Sequence, residues 1–285
     1  MKWICSSFLS LMVLLSSCGQ KVTIPWYLDK TNSYVLLDLD RKTEIKVGVL
    51  DSGFYSPYQC LFRDETIVYG YDFIDQDDCP EAEYNLHGSF ISYLIAGADY
   101  LEYRGIDSRL TLLQIRVFDD SGNTSVEKIL KGMNYAIDSG CSVINMSFGS
   151  EFVDSDIQKL ISSHPELYFV CSIGDSNSDF SLFPASLEDT LSVCAMDEKG
   201  KPYCFSNAPS EKDIKVPGVV SDIPSVNQEG KIIHTRISGS SYATAVLSGI
   251  IASSLLSDSL NQENLRHNNL YIYDCLDCRK FIKRR

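Results

Sequence analysis

Lys46-Val47-Gly48-Val49-Leu50-Asp51-Ser52-Gly53 is an apolar run that ends on a carboxylate and a glycine. A short apolar run without polar alternation suits a strand buried on both faces. Further along the chain, similar runs alternate with helical patterns. Leu110 to Val117, Val143 to Met146, Tyr168 to Ser172 and Leu191 to Ala195 read as strands. Between them, Thr124-Ser125-Val126-Glu127 has the form of a capping box. It predicts a helix with Ile129, Leu130, Met133 and Ile137 on one face. Asp156 to Ser162 reads as a short helix closed by His164-Pro165. Strands alternating with helices predict a doubly wound α/β fold, with a mostly parallel sheet flanked by helices.

The 285 residues are enough for one such domain with a sizeable core. Apolar residues make up 44% and charged residues 22%, which excludes a disordered chain. The net charge of -13 argues against a nucleic-acid partner, because phosphate binding needs a basic face. A cationic peptide substrate would fit that charge, and solubility alone is the simpler reading of it.

The N-terminus carries a targeting pattern. Lys2 is followed by an apolar stretch from Trp3 to Leu15, too short to span a bilayer. Leu15-Ser16-Ser17-Cys18-Gly19 then resembles a bacterial lipobox. The resemblance implies a diacylated Cys18 and attachment to the exported side of a bacterial membrane, where two acyl chains hold firmly. Residues 1–17 are thus expected to be a lipoprotein signal, and 18–44 a lipidated tether with a lead-in strand or helix. Residues 45–260 are expected to be the single α/β domain and 261–285 a C-terminal tail. The basic end of that tail (Lys280, Lys283, Arg284, Arg285) reads as solvated or as touching anionic headgroups. Of the ten cysteines, Cys60 and Cys79 flank an insertion-like stretch and could pair. Cys275 and Cys278 form a lone CxxC, weak evidence for zinc or redox chemistry. Cys141, Cys171, Cys194 and Cys204 sit in or near apolar runs, where Cys acts as a small buried hydrophobe.

Three short motifs carry chemistry. Asp51 stands just past an apolar strand, where sites form in parallel sheets; alone, it would equally cap a turn. His87-Gly88 precedes Phe90, Ile91, Leu94 and Ile95, which puts His87 at a helix N-terminus. Ser238-Gly239-Ser240-Ser241 precedes an apolar helix containing Val246, Ile250 and Ile251. A serine there sits in the positive field of a helix N-terminus, which favours a developing alkoxide; alone, it could simply be an N-cap. Together, in the order Asp, His, Ser, the motifs resemble those of the subtilisin-like serine proteases, the subtilase family. Val47 to Gly53 resembles the Asp motif, His87 to Gly97 the His motif, and Gly239 to Ala243 the Ser motif. Phe183-Pro184-Ala185 and Val216-Pro217-Gly218 fall at turns of that family.

The resemblance implies that Ser241 attacks a peptide carbonyl, His87 carries the proton, and Asp51 orients the imidazolium. It implies further that Ser147, Phe148 and Gly149, with Ser121, Gly122 and Asn123, pair with an extended substrate. No cofactor is expected, although the family analogy allows for calcium. Asp75, Asp77 and Asp78 are not spaced as a calcium loop and read as a solvated turn. Two departures stand out. Asp175 occupies the position of the family's oxyanion-hole asparagine. A carboxylate there repels the oxyanion, whereas a protonated one would donate, and Asn177 could substitute. Ala245 replaces a usual proline. The span from Cys18 to Glu44 is short for a folding propeptide, so the chain is similar to small subtilases such as lanthipeptide leader peptidases. The expected activity is a membrane-anchored serine endopeptidase that matures a specific exported peptide. A general cell-surface protease, or a peptide-binding pseudoprotease because of Asp175, are the alternatives.

Overall fold

Lys46 to Asp51 does form a strand, and it lies in the middle of the main sheet. The computed structural model describes residues 26–31, 44–55, 66–97, 103–203, 205–210, 212–226 and 231–256. In chain order the elements are α1 (Trp26–Thr31), β1 (Lys46–Asp51), β2 (Phe54–Tyr55), β3 (Ile67–Asp72), β4 (Glu81–Ala82) and α2 (His87–Ala96). Then come β5 (Thr111–Arg116), α3 (Val126–Asp138), β6 (Val143–Met146), α4 (Ser155–Ser162), β7 (Tyr168–Ser172) and β8 (Leu191–Met196). The described chain continues with β9 (Ile214–Pro217), β10 (Val219–Val226), β11 (Ile232–Ser238) and α5 (Ser240–Leu256).

Seven strands form one sheet in the order β3-β5-β1-β6-β7-β8-β9, and all its neighbours run parallel. The doubly wound, mostly parallel α/β fold is therefore present. From β1 the chain builds outward in both directions, so the carboxyl end of β1 lies at a switch point. Each face carries its own core. Side chains of α1, α2 and α5 pack on one face with Val47, Val49, Val143 and Val193. Those of α3 and α4 pack on the other with Leu50, Ile115, Ile144 and Phe169. This two-sided cover explains why β1, β6 and β8 read as continuous apolar runs rather than alternating ones.

Helix α5 is buried along nearly its whole length, which its small residues permit. Gly249 shows the tightness, since a Cβ there would stand 2.8 Å from Ile106 Cβ. The buried hydroxyl of Ser248 donates to Asn145 Oδ1 of β6 at 3.0 Å, so the helix is tied to the sheet by a polar bond as well.

Several expectations need adjustment. The N-cap of α3 is Ser125, not Thr124: Ser125 Oγ accepts from Lys128 N, while the Thr124 hydroxyl donates to Val117 O at the end of β5. The lead-in is helical over Trp26–Thr31, one of the two forms expected of it, and this helix belongs to the core. Tyr27 and Leu28 of α1 are buried, and Trp26 Nε1 donates to Val219 O at 2.7 Å. Cys79 is a free, exposed thiol rather than half of a disulfide, whereas Cys141, Cys171 and Cys194 are buried free thiols as expected. The lipidation position Cys18, the cysteines Cys60, Cys204, Cys275 and Cys278, and the C-terminal tail lie outside the described residues. Among the described residues no helix is long and apolar enough to cross a membrane. The hairpin of β10 and β11 has no counterpart in the sequence reading. The peptide bond between Phe183 and Pro184 is cis.

Candidate active site

Asp51 ends β1 and is 4% exposed. Its Oδ1 lies 2.8 Å from His87 Nδ1 and also accepts from Ser52 N at 2.7 Å. A carboxylate can only accept, so Nδ1 donates and Nε2 is left as the basic nitrogen. His87 is the first residue of α2, and two glycines bring that helix against the end of β1. A Cβ on Gly88 would lie 2.2 Å from Gly53 O, so only glycine permits this approach. Asn85 Oδ1 accepts from His87 N at 3.0 Å.

Ser241 is the second residue of α5, where helix amides lack intrahelical partners and the dipole is positive. Its hydroxyl donates to Ser147 O at 2.9 Å, and Ser147 Oγ donates in return to Ser241 O at 2.9 Å. Asn145 Nδ2 donates to Ser147 Oγ at 3.0 Å, which completes a buried polar chain from Ser248 to Ser241. The fold thus brings Asp51, His87, Ser147 and Ser241, distant in sequence, to the same end of the sheet. Tyr242, the residue after Ser241, stands with its ring centroid 5.6 Å from that of His87.

Asp175 follows β7 and reaches the first turn of α5. Both its oxygens accept from Ser240 N, at 3.0 and 2.8 Å, and Oδ2 accepts from Ser240 Oγ at 3.0 Å. The carboxylate therefore caps the residue next to Ser241. Gly239 is needed for that contact: its φ is 149°, and a Cβ would meet Asp175 Oδ2 at 2.7 Å. Asn177 stands two residues further on, exposed and with φ of 55°. Asn207 organises the loop instead, with Nδ2 donating to Ile173 O and Phe180 O, and Oδ1 accepting from Ser176 N and Ser178 N. No local signal marks Asn207, because every partner lies more than two dozen residues away.

The charges at the site act on one another. Burial opposes protonation of His87, but the Asp51 carboxylate, its hydrogen bond and Asp175 outweigh it and hold the imidazole pKa above the ordinary value. Enclosure by the protein raises the pKa of Asp175, while the Ser240 amide and hydroxyl and the nearby His87 pull against that rise. Burial, with Asp51 and Asp175, pushes the Tyr242 phenol up to about 12.

The two candidate substrate segments differ. Ser147, Phe148 and Gly149 continue from β6, with Phe118 and Phe148 rings 5.0 Å apart beside them. Ser121, Gly122 and Asn123 form a closed turn rather than an open strand edge. Asp119 Oδ1 takes the amides of Ser121 and Asn123, and Asp119 O takes that of Gly122. The acidic stretch near Asp75 is more than a solvated turn, because Asp75 Oδ2 pairs with the buried Arg116 at 2.6 Å. No group of three or more His, Cys, Asp or Glu among the described residues is arranged to hold a metal ion.

Comparison with known proteins bears on this geometry. The model of the subtilase family matches residues 42–268. Thermitase of Thermoactinomyces vulgaris is 26% identical over 235 residues, covering 80% of this chain and 81% of that protein. Subtilisin-like protease 2 of Pseudogymnoascus destructans is 30% identical over 78% of this chain, which spans 54% of that longer relative. Among solved structures, the prenylagaramide maturation protease PagA superposes with a TM-score of 0.64 at 27% identity, covering 79% of this chain and 78% of that one. The protease domain of PatA gives 0.64 at 25% identity, covering 81% and 84%.

Proposed function

The chain belongs to the subtilase family of serine proteases, and from that premise we propose that it cuts peptide bonds through Asp51, His87 and Ser241. The observation that carries the assignment is the 2.8 Å contact between Asp51 Oδ1 and His87 Nδ1, made at the switch point of the sheet. Asp51 fixes the tautomer that leaves Nε2 free to accept a proton. Rotation about the Cα–Cβ bond of Ser241 turns its hydroxyl from Ser147 O toward His87; side chains exchange between such staggered wells readily. The attacking oxygen then loses its proton to His87 Nε2, and His87 returns it to the leaving amine. The amide of Ser241, at the start of α5, is suited to receive the developing oxyanion.

The substrate in this reading is an exported peptide rather than protein in general, and the enzyme is held at the outer side of the bacterial membrane by lipid on Cys18. The lipobox-like Leu15 to Gly19 supports the anchor. PagA, a maturation protease, supports the dedicated peptide. Ser147 to Gly149, with the Phe118 and Phe148 rings, supply an edge and an apolar floor for an extended chain.

Labelling with a fluorophosphonate tests the catalytic assignment. Wild-type protein should label at Ser241 and cleave peptides, and Ser241→Ala should do neither while keeping its fold. A Ser241→Ala protein that cleaves at the wild-type rate rejects the triad. A wild type that neither labels nor cleaves favours a peptide-binding role.

A further inference from the structure

Arg116 is the last residue of β5 and only 4% exposed, yet it is charged. Its guanidinium meets three carboxylates: Nη1 lies 2.8 Å from Asp72 Oδ2 and 2.6 Å from Asp75 Oδ2, and Nη2 lies 2.8 Å from Asp120 Oδ2. A planar fork with five donors can hold such a set, which an ammonium cannot match. Two of the three carboxylates are in turn bound to backbone. Asp72 Oδ1 accepts from Ile74 N and Asp75 N. Asp120 Oδ1 accepts from Tyr84 N at 2.9 Å and Asn85 N at 2.8 Å.

Those last two amides lead directly into α2. Asn85 Nδ2 donates back to Asp120 O at 3.2 Å, and Asn85 Oδ1 accepts from His87 N. A continuous chain therefore runs from Arg116 through Asp120 and Asn85 to the backbone of His87. The same arginine supports the other member of the pair. In the sheet, Arg116 is in register with Asp51, and its Cδ lies 2.9 Å from where a Cβ on Gly53 would stand. The carbonyl of Asp51 accepts from Val117 N at 2.9 Å, directly after Arg116.

We propose that Arg116 is a positioning residue for the Asp51–His87 pair, clamping Asp120 so that Asp120 and Asn85 fix the backbone on which His87 stands. It touches neither substrate nor reacting atoms. Its effect is to keep Nδ1 of His87 on Asp51 and Nε2 directed at the nucleophile, where a misplacement of about 1 Å can cost 10²-fold in rate. Surrounding a catalytic pair with such locked hydrogen bonds is the general way a fold fixes it. The inference rests on the catalytic reading above.

Removing Arg116 strands three carboxylates, Asp72 among them buried and Asp120 half-buried, and such a variant can fail to fold. The test therefore acts further along the chain, at Asp120 and Asn85, with Ser241→Ala as control. Asn85→Ala should lower kcat about tenfold while changing KM less than about threefold, because what is freed is the base rather than the substrate edge. Loosening His87 from Asp51 also removes what raises its pKa, so the acid limb of the pH profile should move to lower pH. Asp120→Asn keeps an oxygen acceptor for the amides of Tyr84 and Asn85 and should retain more kcat than Asp120→Ala. Should the wild type neither label with a fluorophosphonate nor cleave peptide, the catalytic reading itself fails. Should the wild type cleave while all three variants, folded by melting temperature, match its kcat and pH profile, the positioning role is overturned and the catalytic reading stands.

Discussion

Ser241 and Ser147 are bonded to each other twice, hydroxyl to carbonyl in both directions, each at 2.9 Å. The reciprocal pair joins the first turn of α5 to the end of β6. Ser147→Ala removes one of the two bonds and leaves Asn145 Nδ2, which is fully buried, without its acceptor. A buried donor left unpaired costs about 1–3 kcal/mol. Denaturant titration should show that loss of stability, and a midpoint equal to wild type would mean that the pair carries no net energy.

The Asp51–His87 contact sets a pH dependence. His87 must be neutral to accept a proton, and its pKa is held above the ordinary histidine value. Activity should therefore rise with pH, with a midpoint above about 6.5. In Asp51→Asn the principal cause of that rise is gone, so the midpoint should move to lower pH. The rate should also fall by about 10⁴ as the preferred tautomer is lost. Profiles of kcat/KM for both proteins check this, and an unchanged midpoint would detach Asp51 from His87 in solution.

Asp175 gives the sharpest chemical test. Its carboxylate caps Ser240 and adds negative charge beside His87. Asp175→Asn keeps an oxygen for the Ser240 amide and brings an N–H donor toward the region of the oxyanion, where such a donor is worth up to about 10²–10³-fold. Generic peptides should be cleaved faster. The acid limb should also move to lower pH, because one cause of the raised His87 pKa has been removed. Identical rates at every pH would show that residue 175 does not act on the reacting atoms.

The anchor is tested at Cys18. Metabolic labelling with a fatty-acid analogue should mark the wild type and leave Cys18→Ala unmarked, and the variant should appear in the soluble fraction. Equal labelling of both proteins would remove the lipoprotein assignment.

Much of the site could be read from contiguous residues. The runs at Lys46, Val143, Tyr168 and Leu191 are apolar without interruption because both faces of the sheet are covered, and that composition survives in the sequence. His87 and Ser241 are the first and second residues of their helices, and each has a glycine within two residues where the chain passes close to another group: Gly88 against the Gly53 carbonyl, and Gly239 against the Asp175 carboxylate. Such requirements act on neighbouring residues, so the motifs and their order were legible without coordinates. Local rules fail where a partner is remote. Thr124 reads as the cap of α3, but Val117 O takes its hydroxyl and Ser125 caps the helix. The β10–β11 hairpin escapes detection because a register shift between Val220 and Ile223 breaks its alternation and Pro224 speaks against a strand.

What the sequence by itself determined is the alternation that makes the sheet and the three residue types that end up at the carboxyl end of its strands. Only the tertiary structure decided what the residues of the site rest on: Ser240 for Asp175, Ser147 for Ser241, and the chain from Arg116 through Asp120 and Asn85 for His87. Asp120 and Asn85 stand 35 positions apart, and Ser147 and Ser241 stand 94 apart. An isolated charge or hydroxyl carries no mark of its future partner in the chain. It acquires one when the sheet closes, water is excluded, and most buried polar groups find a bond among the groups the fold has placed within about 3 Å.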